Sequence, residues 1–248
     1  MIEVKGLKKS FGTQKVLDGL TLKIPKGKIT VILGRSGEGK SVLIKHLIGL
    51  LRPDSGTVIV KGRDLLSMDS IELNDFRKNF GMLFQQAALF DSMTVFQNIA
   101  FPLEEHTQKT ETEILKQVKH LVELVGLTEN VLQKYPSELS GGMKKRVGLA
   151  RAIALEPEIL LYDEPTTGLD PIMTDVIDHL ILETQKKLGV TSVVISHDVK
   201  ATFAIADKIA MLHEGKIHLE GTPEEFRKSN DPVVKNFLEG KARQEELK

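Results

Sequence analysis

Short apolar runs alternate with amphipathic segments along this chain. The pattern is typical of an α/β protein with a largely parallel sheet. A continuous apolar run at Ile29–Leu33 predicts a buried strand that leads into a glycine-rich turn. Alternating apolar positions over residues 2–7 and 16–24 predict strands of a separate edge sheet, which residues 57–60 are expected to join.

Apolar residues recur at helical intervals after the glycine-rich turn. A first helix is expected over residues 41–51, stopped by Pro53 and the turn that follows it. Thr110 and Glu113 have the spacing of a capping box ahead of apolar residues at helical intervals. We therefore expect a helical insertion over about residues 88–155 of an α/β core.

Strands are expected to return in the last third of the chain. Their predicted ranges are 159–162, 193–196 and 208–213, and the turn that ends the third predicts a hairpin into 217–220. We expect one domain over residues 1–240 and a charged, disordered tail over 241–248.

The composition narrows the class of protein. The chain has 34 basic and 34 acidic residues, so no overall field favours nucleic acid or anionic lipid. It has no cysteine, which excludes disulfides, thiolate metal sites and cysteine nucleophiles. No signal peptide is expected at the start, and no apolar run approaches the roughly 20 residues that span a bilayer.

A phosphate-binding motif lies between a predicted strand and a predicted helix. Residues 34–41 match G-x-x-x-x-G-K-[ST]. Glycines let successive backbone N–H groups face phosphate oxygens, and the helix start adds its positive end. We expect Lys40 to reach the β/γ-phosphates and the Ser41 hydroxyl to bind Mg²⁺. The expected nucleotide-binding residues here are Gly34, Arg35, Ser36, Gly37, Glu38, Gly39, Lys40 and Ser41, with Val42 beside them.

Two adjacent acids end a later apolar strand. The ligand-binding residues of a parallel sheet lie at the carboxyl ends of its strands. We therefore expect Asp163 to hold the Mg²⁺ shell and Glu164 to orient and deprotonate the attacking water. The alternative interpretation is that Glu164 is only a solvated acid at the end of a strand. The phosphate-binding motif makes this interpretation less favourable.

Four motifs in order identify a family. The segment 139–143 reads Leu-Ser-Gly-Gly-Met, and it is followed by characteristic groups at 163–166, 168–170 and 196–198. Together they resemble the ATP-binding cassette family over nearly the whole chain. The resemblance implies a P-loop NTPase fold of the ABC type, with a RecA-like core, an N-terminal antiparallel β-subdomain and the helical insertion. It also implies ATP and Mg²⁺ as cofactors and ATP hydrolysis as the activity.

The resemblance also implies roles for motif residues. Ser140, Gly141 and Gly142 match the signature motif, which in this family grips the γ-phosphate of ATP bound to the other protomer of a head-to-tail homodimer. His197 matches the switch histidine, which contacts the γ-phosphate and helps to organise the catalytic acid. Asp170 matches the loop that contacts the second protomer.

Two further positions are implied. Gln85 matches the loop glutamine that approaches Mg²⁺ and links to the membrane subunit, and it is preferred over Gln86 because it directly follows Phe84. Phe11 lies where the family stacks an aromatic ring on adenine. Packing in the core is the alternative role for Phe11.

Three positions depart from the common family pattern. Met143 stands where glutamine is usual, and Val42 where threonine is common. Glu38 places an acid beside a polyanion, which we expect to be tolerated only if its side chain faces solvent. We expect hydrolysis to survive these changes at a low rate.

A subfamily is also indicated. Residues 37–43, 84–95 and 139–147 together resemble the Mla-type, Mce-associated ATPases. Those proteins serve phospholipid transport between the membranes of diderm envelopes, or the equivalent route in plastids. The resemblance implies an MlaE-like permease, a Mce-type substrate-binding protein and a small cytoplasmic subunit as candidate partners, with no nucleic acid. It places the chain at the cytoplasmic face of the inner membrane.

Other functions remain open at this point. The same motor could serve an amino-acid importer or a lipoprotein exporter. Soluble ABC ATPases of DNA repair or the ribosome usually have two cassettes or long coiled coils, whereas this sequence shows one cassette and no sustained heptads. A regulatory module without catalysis is disfavoured by the presence of Glu164 and His197.

Overall fold

Residues 1–241 are the part of the chain that this computed structural model describes. The strands are β1 (Ile2–Phe11), β2 (Gln14–Ile24), β3 (Ile29–Leu33), β4 (Ser55–Val60), β5 (Arg63–Asp64), β6 (Phe80–Leu83), β7 (Ile159–Asp163), β8 (Thr191–Ser196), β9 (Lys208–His213) and β10 (Lys216–Gly221). The helices are α1 (Lys40–Leu47), α2 (Ser70–Phe76), α3 (Val95–His106), α4 (Glu111–Leu124), α5 (Gly141–Ala152), α6 (Pro171–Leu188), α7 (Val199–Ile205), α8 (Pro223–Lys228) and α9 (Pro232–Leu238). The predicted tail, beyond its first residue Lys241, lies outside the described residues.

The elements form two compact units. The first unit contains residues 1–69 together with the chain from residue 193 onward, and the second contains residues 70–192. Strand β8 begins in the second unit and ends in the first. Among residues 1–241, no helix has both the length and the apolar character needed to cross a membrane.

An antiparallel sheet opens the first unit. Its strand order is β2-β1-β4-β5, and β1 pairs antiparallel with both β2 and β4. Ile2 and Val4 on β1 are buried, as the alternating pattern predicts, and Leu7 is also buried because a register shift between Val4 and Leu7 changes the alternation. The edge-sheet prediction is confirmed, although β1 and β2 are both longer than expected and the short strand β5 was not predicted.

The phosphate-binding segment is built on a second set of strands in the same unit. Strand β3 pairs parallel with β9, and β9 pairs antiparallel with β10. Every residue of β3 is buried. The predicted hairpin is present, with Glu214 and Gly215 both in the left-handed region at φ 49° and 72°, as in a type I′ turn.

Helices α8 and α9 cover one face of these strands. Phe226 and Val234 from the helices are buried against Leu33, Ile209 and Met211 of the strands. Each fully buried side chain of this size stabilises the fold by about 1.5–3 kcal/mol. The packing holds the carboxyl end of β3, from which the phosphate-binding loop departs.

Helix α1 ends earlier than the sequence predicts. Its last residue is Leu47, whereas we expected it to continue to residue 51. Gly49 has φ 66°, and its N–H donates to the carbonyl of His46 while Leu50 N–H donates to that of Lys45. A left-handed glycine that closes the last turn in this way is a common helix stop, so Gly49, not Pro53, ends the helix.

The second unit is mainly helical. Helices α3, α4 and α5 lie between β6 and β7, with no strand among them in the described chain, and β6 pairs parallel with β7. The capping box of Thr110 and Glu113 is present, and its hydrogen bonds lower the pKa of the Glu113 carboxyl. Strand β6 was missed, because four residues are too few for a clear alternation.

Candidate nucleotide-binding and hydrolysis site

The phosphate-binding loop of the first unit connects β3 to α1. Lys40 is 4% exposed, and its Nζ donates to the carbonyl oxygens of Gly34 at 2.8 Å and Arg35 at 2.7 Å. The ammonium is thereby held inside the curve of its own loop. Helix α1 begins without a side-chain cap, because Gly39 occupies the N-cap position. Uncapped N–H groups at a helix start are suited to binding an anion.

Two glycines of the loop are required by their surroundings. Gly39 has φ 97°, and a Cβ there would lie 2.9 Å from Val16 Cγ1. A Cβ on Gly34 would lie 2.7 Å from the carbonyl oxygen of Leu212. Both positions therefore exclude a side chain, because the loop packs closely against β2 and β9.

Glu38 contradicts the expectation that its side chain faces solvent. The side chain is only 10% exposed and lies 3.4 Å from His213 Nδ1. One carboxylate oxygen accepts a hydrogen bond from the backbone N–H of Glu214 at 2.6 Å. The acid is tolerated in the loop because it is bound to the turn between β9 and β10.

Two other predicted residues of this unit lie at element ends. Phe11 ends β1, is 48% exposed and has the Lys9 ammonium 5.6 Å from its ring centroid. This exposure removes the core-packing alternative for Phe11. His197 follows β8 and is exposed, and the next residue, Asp198, caps α7 through a bond from Ala201 N–H.

The second unit brings several predicted residues together at the end of β7. Asp163 is the last residue of the strand, and Glu164 follows with φ 46°. A left-handed glutamate is strained, and such strain is often found at functional sites. Its Oε2 accepts hydrogen bonds from Thr167 Oγ1 at 3.0 Å and from Gln85 Nε2 at 3.4 Å.

The chemistry of this set suits Mg²⁺. Carboxylate, hydroxyl and amide oxygens are the ligands that a hard cation prefers. Asp163, at the end of β7, supplies a carboxylate. Gln85 uses its amide nitrogen for Glu164, which leaves the amide oxygen as the atom suited to a cation. The donor types present therefore fit the ion.

The signature residues form the start of α5. Ser140 is the N-cap, and its Oγ accepts a hydrogen bond from Met143 N–H at 3.3 Å. Gly142 is buried against the Met173 side chain, and Gly141 faces Leu169. Asp170 caps α6 by accepting bonds from Ile172 and Met173 N–H groups. Ser140 and Asp170 thus each begin a helix.

A pocket opens beside the segment that follows Gln85. Its volume is about 490 Å³. The lining combines small, acidic and basic side chains, among them Ala88, Asp91, Pro136, Lys144 and Lys145. Phe84 and Phe90 are 39% and 43% exposed nearby in the sequence. The pocket is thus lined in part by charged side chains, and two exposed aromatic residues lie close to it in the sequence.

The structure also shows contacts that the sequence did not indicate. Thr167 bonds to Glu164, and Lys145 Nζ bonds to the backbone carbonyl oxygens of Gln85 and Glu164. A signal for Lys145 existed in the sequence. It lies three residues after Gly142 and four before Leu149, so it belongs to the buried face of α5.

Comparison with known proteins identifies the class. A family model described as ABC transporter matches residues 17–167. The chain therefore belongs to the ABC transporter family and is an ATP-binding, ATP-hydrolysing cassette of a transporter. This confirms the family, the fold class and the enzymatic activity expected from the motifs.

Particular relatives are similar over almost the full chain. The probable ribonucleotide transport ATP-binding protein mkl of Mycobacterium leprae is 45% identical over 240 residues, which cover 97% of this chain and 69% of that protein. The intermembrane phospholipid transport system ATP-binding protein MlaF of Haemophilus influenzae is 44% identical over 242 residues, covering 98% and 91%. The subfamily resemblance is thereby confirmed.

A solved structure gives the same fold. The ATP-binding cassette MJ0796, in a dimeric post-hydrolysis state bound to ADP and Pi, superposes with a TM-score of 0.82 at 29% identity. The match covers 90% of this chain and 99% of that one. The dimer and the bound nucleotide belong to that structure.

Proposed function

We propose that this chain is the ATPase that powers a phospholipid transporter of the cell envelope, through a membrane permease. The observation that supports the proposal is its 44% identity with the Haemophilus MlaF protein over 91% of that protein's length. The similarity extends over 98% of this chain, well beyond the nucleotide motifs. The chain would then lie at the cytoplasmic face of the inner membrane.

The phosphate-binding loop and the β7 acids would divide the chemistry. Lys40 binds the β- and γ-phosphates, and the loop N–H groups hold their oxygens. Ser41, Asp163 and Gln85 would hold Mg²⁺, which would neutralise charge on the phosphates when bound. Phe11 stacks on the adenine. These roles follow from residue type and motif. The contacts of Lys40, which hold its ammonium inside the loop, support its role in binding the phosphates.

Glu164 would act as the general base. Its carboxylate would orient the attacking water and accept its proton as the water oxygen attacks the γ-phosphorus, while the bond from that phosphorus to the β–γ bridging oxygen breaks and ADP leaves. Thr167 and Gln85 fix the direction of this carboxylate through their bonds to Oε2. His197 would contact the γ-phosphate and keep the water in line. The left-handed backbone of Glu164 supports a functional role for the residue.

The signature motif would complete the site of a second protomer. Ser140, Gly141 and Gly142 present a hydroxyl and the start of α5 to the γ-phosphate of ATP on the partner. Asp170 would lie at the same dimer contact. The dimeric state of the similar cassette MJ0796 supports a head-to-tail homodimer for this chain. ATP would favour the closed dimer and hydrolysis would release it.

Charge substitution at Ser140 tests the dimer. Asn and Asp are both good N-caps, so Ser140→Asn and Ser140→Asp each preserve the start of α5. Only the aspartate repels a phosphate. We expect both variants to bind ATP as monomers with wild-type affinity, and only Ser140→Asp to lose ATP-driven dimerisation in light scattering. Equal dimerisation by the two variants would argue against a phosphate at Ser140.

The permease would dock on the segment from Gln85 to Val95. Exposed Phe84 and Phe90 and the neighbouring pocket support docking of an amphipathic helix there. An MlaE-like permease is the proposed partner, with a Mce-type substrate-binding protein and a small cytoplasmic subunit in the same complex. Movement at Gln85 would pass to the permease during the ATP cycle.

Ribonucleotide transport is the second candidate, because the similar mycobacterial protein carries that name. One experiment separates the two. The chain is purified with its membrane partners after gentle detergent extraction, and its bound small molecules are identified by mass spectrometry. Co-purified phospholipid, and ATP-dependent lipid transfer from vesicles by the complex, would support the proposal. ATP-dependent uptake of ribonucleotide without lipid transfer would favour the alternative.

A further inference from the structure

Lys145 is a buried lysine beside the proposed catalytic acid. It lies in the second turn of α5 and is 5% exposed. Lysine is rarely buried to this degree unless its ammonium has partners. Burial lowers the pKa of the ammonium, while the carboxylates of Glu164 and Asp163 act in the opposite direction. Because desolvation of an ammonium is unfavourable, we expect a buried lysine at this position to have a specific role.

The partners of Lys145 are two backbone carbonyl groups. Nζ donates a hydrogen bond to the carbonyl oxygen of Gln85 and a second, at 3.5 Å, to that of Glu164. The side chains of the same two residues meet, since Gln85 Nε2 lies 3.4 Å from Glu164 Oε2. The Lys145 ammonium therefore holds the backbone of both residues whose side chains are in contact, Gln85 and Glu164.

Both backbone segments need external support. Glu164 has φ 46°, and Ala87 and Ala88, just after Gln85, have φ 60° and 47°. Residues with a side chain seldom keep such conformations unless the surroundings impose them. A second cation of α5 acts on the same loop, because Arg151 donates to the Ala87 carbonyl oxygen at 2.9 Å. Helix α5 thus holds the Gln85 loop by two side chains.

We propose that Lys145 is a positioning residue for ATP hydrolysis, which ties the backbone of Gln85 and Glu164 to the helix that begins at Ser140. The inference rests on the proposed function of Glu164 as the base. In this proposal Lys145 acts through the two residues whose backbone carbonyl groups accept its hydrogen bonds. A shift of α5, whose first residues face the partner protomer's ATP in the proposed dimer, would then move the catalytic carboxylate directly.

Substitution by methionine tests the inference. Lys145→Met keeps the length and apolar stem of the side chain but removes the ammonium. We expect kcat to fall by about 10- to 100-fold, the cost of misplacing a reacting group by roughly 1 Å. KM for ATP and nucleotide affinity should stay within about threefold of wild type, because the phosphate-binding loop is unchanged. Lys145→Arg retains a cation and should recover part of the lost kcat.

The controls separate positioning from folding. Lys116→Met makes the same change on an exposed position of α4 and should leave kcat unchanged. Lys145→Met in a Glu164→Gln background should still form the ATP-bound dimer, which reports that the chain is folded and binds ATP. All variants are assayed in the complex purified with its membrane partner.

Three results would overturn the inference. Wild-type kcat in Lys145→Met would show that the ammonium does not position the base. A parallel loss of kcat, ATP affinity and thermal stability would show a structural role only. Absence of ATP hydrolysis in the wild-type complex would overturn the proposed function and this inference together, whereas the first two results leave the proposed function standing.

Discussion

The carboxylate of Glu38 accepts a hydrogen bond from the backbone N–H of Glu214 at 2.6 Å. An acid of the phosphate-binding loop is thereby fastened to the turn between β9 and β10. The same carboxylate lies 3.4 Å from His213 Nδ1. Glu38, an unexpected acid in the proposed nucleotide-binding loop, therefore anchors that loop to a turn elsewhere in the chain.

Removal of this contact should destabilise the fold. A hydrogen bond to a charged group contributes about 1.5–3 kcal/mol, so Glu38→Ala should lower the free energy of unfolding by roughly that amount. Glu38→Gln keeps an oxygen acceptor for Glu214 N–H and should lose less. Urea denaturation of the three proteins measures the difference. An alanine variant as stable as wild type would mean that Glu38 faces solvent in solution.

Loss of the loop lysine should weaken nucleotide binding. Lys40→Ala removes the ammonium that is held inside the loop, and ATP affinity should fall by about 10- to 100-fold, the value of one charged hydrogen bond. Titration with a fluorescent ATP analogue measures this. Lys45→Ala, on the exposed side of the same helix, serves as the control. Unchanged affinity in Lys40→Ala would contradict the assignment of the phosphate-binding loop.

Neutralisation of the proposed catalytic acid, Glu164, should stop turnover but not binding. Glu164→Gln retains the shape of the side chain and loses the base, so kcat should fall by about 100- to 10,000-fold. The ATP-bound dimer should accumulate, which size-exclusion chromatography detects. Glu123→Gln, an exposed position on α4, should hydrolyse ATP normally. Brisk hydrolysis by Glu164→Gln would remove this residue from the role of base.

Stability should depend on His46 below neutral pH. The imidazole is 1% exposed, and burial lowers its pKa. The unfolded chain binds a proton as the pH falls below about 6.5, whereas the folded chain resists protonation at this site, so acid favours unfolding. Above that pH His46 is neutral in both states, and its contribution does not change.

The His46 effect is isolated by comparison. His46→Met removes the titrating group, and urea denaturation at about pH 7.5 and about pH 5.5 measures how much stability each protein loses. Wild type should lose more than His46→Met. His120→Met, at an exposed histidine of α4, should behave like wild type. Equal losses in wild type and His46→Met would show that His46 does not resist protonation in the fold.

Much of the fold was predictable because its signals are local. The five apolar residues of β3, the capping box at Thr110 and the glycine-containing turn after His213 each depend on neighbours in the sequence. Helix α1 was predicted too long for the same reason. Pro53 is a strong local signal for the end of a helix, but the left-handed conformation of Gly49 ends helix α1 before Pro53 is reached.

The predicted site residues were found by motif, not by contact. Lys40 is marked by the spacing of the phosphate-binding motif, Glu164 by its place at the end of an apolar strand, and Ser140 by its resemblance to the family's signature motif. Their supporting residues carry no such mark. Thr167 and Lys145 act on the site through hydrogen bonds whose other partners lie 3 to 60 residues away in the sequence.

The sequence by itself determined the family, the nucleotide motifs and most element positions, because these depend on residue type and short spacing. The tertiary structure alone decided where Glu38 and Lys145 direct their charges. Glu38 bonds to a turn 176 residues away in the chain, and Lys145 bonds to backbone carbonyl groups, which every residue has. A charge that is removed from water needs a polar partner. Only the folded chain determines which backbone group lies within reach of that charge.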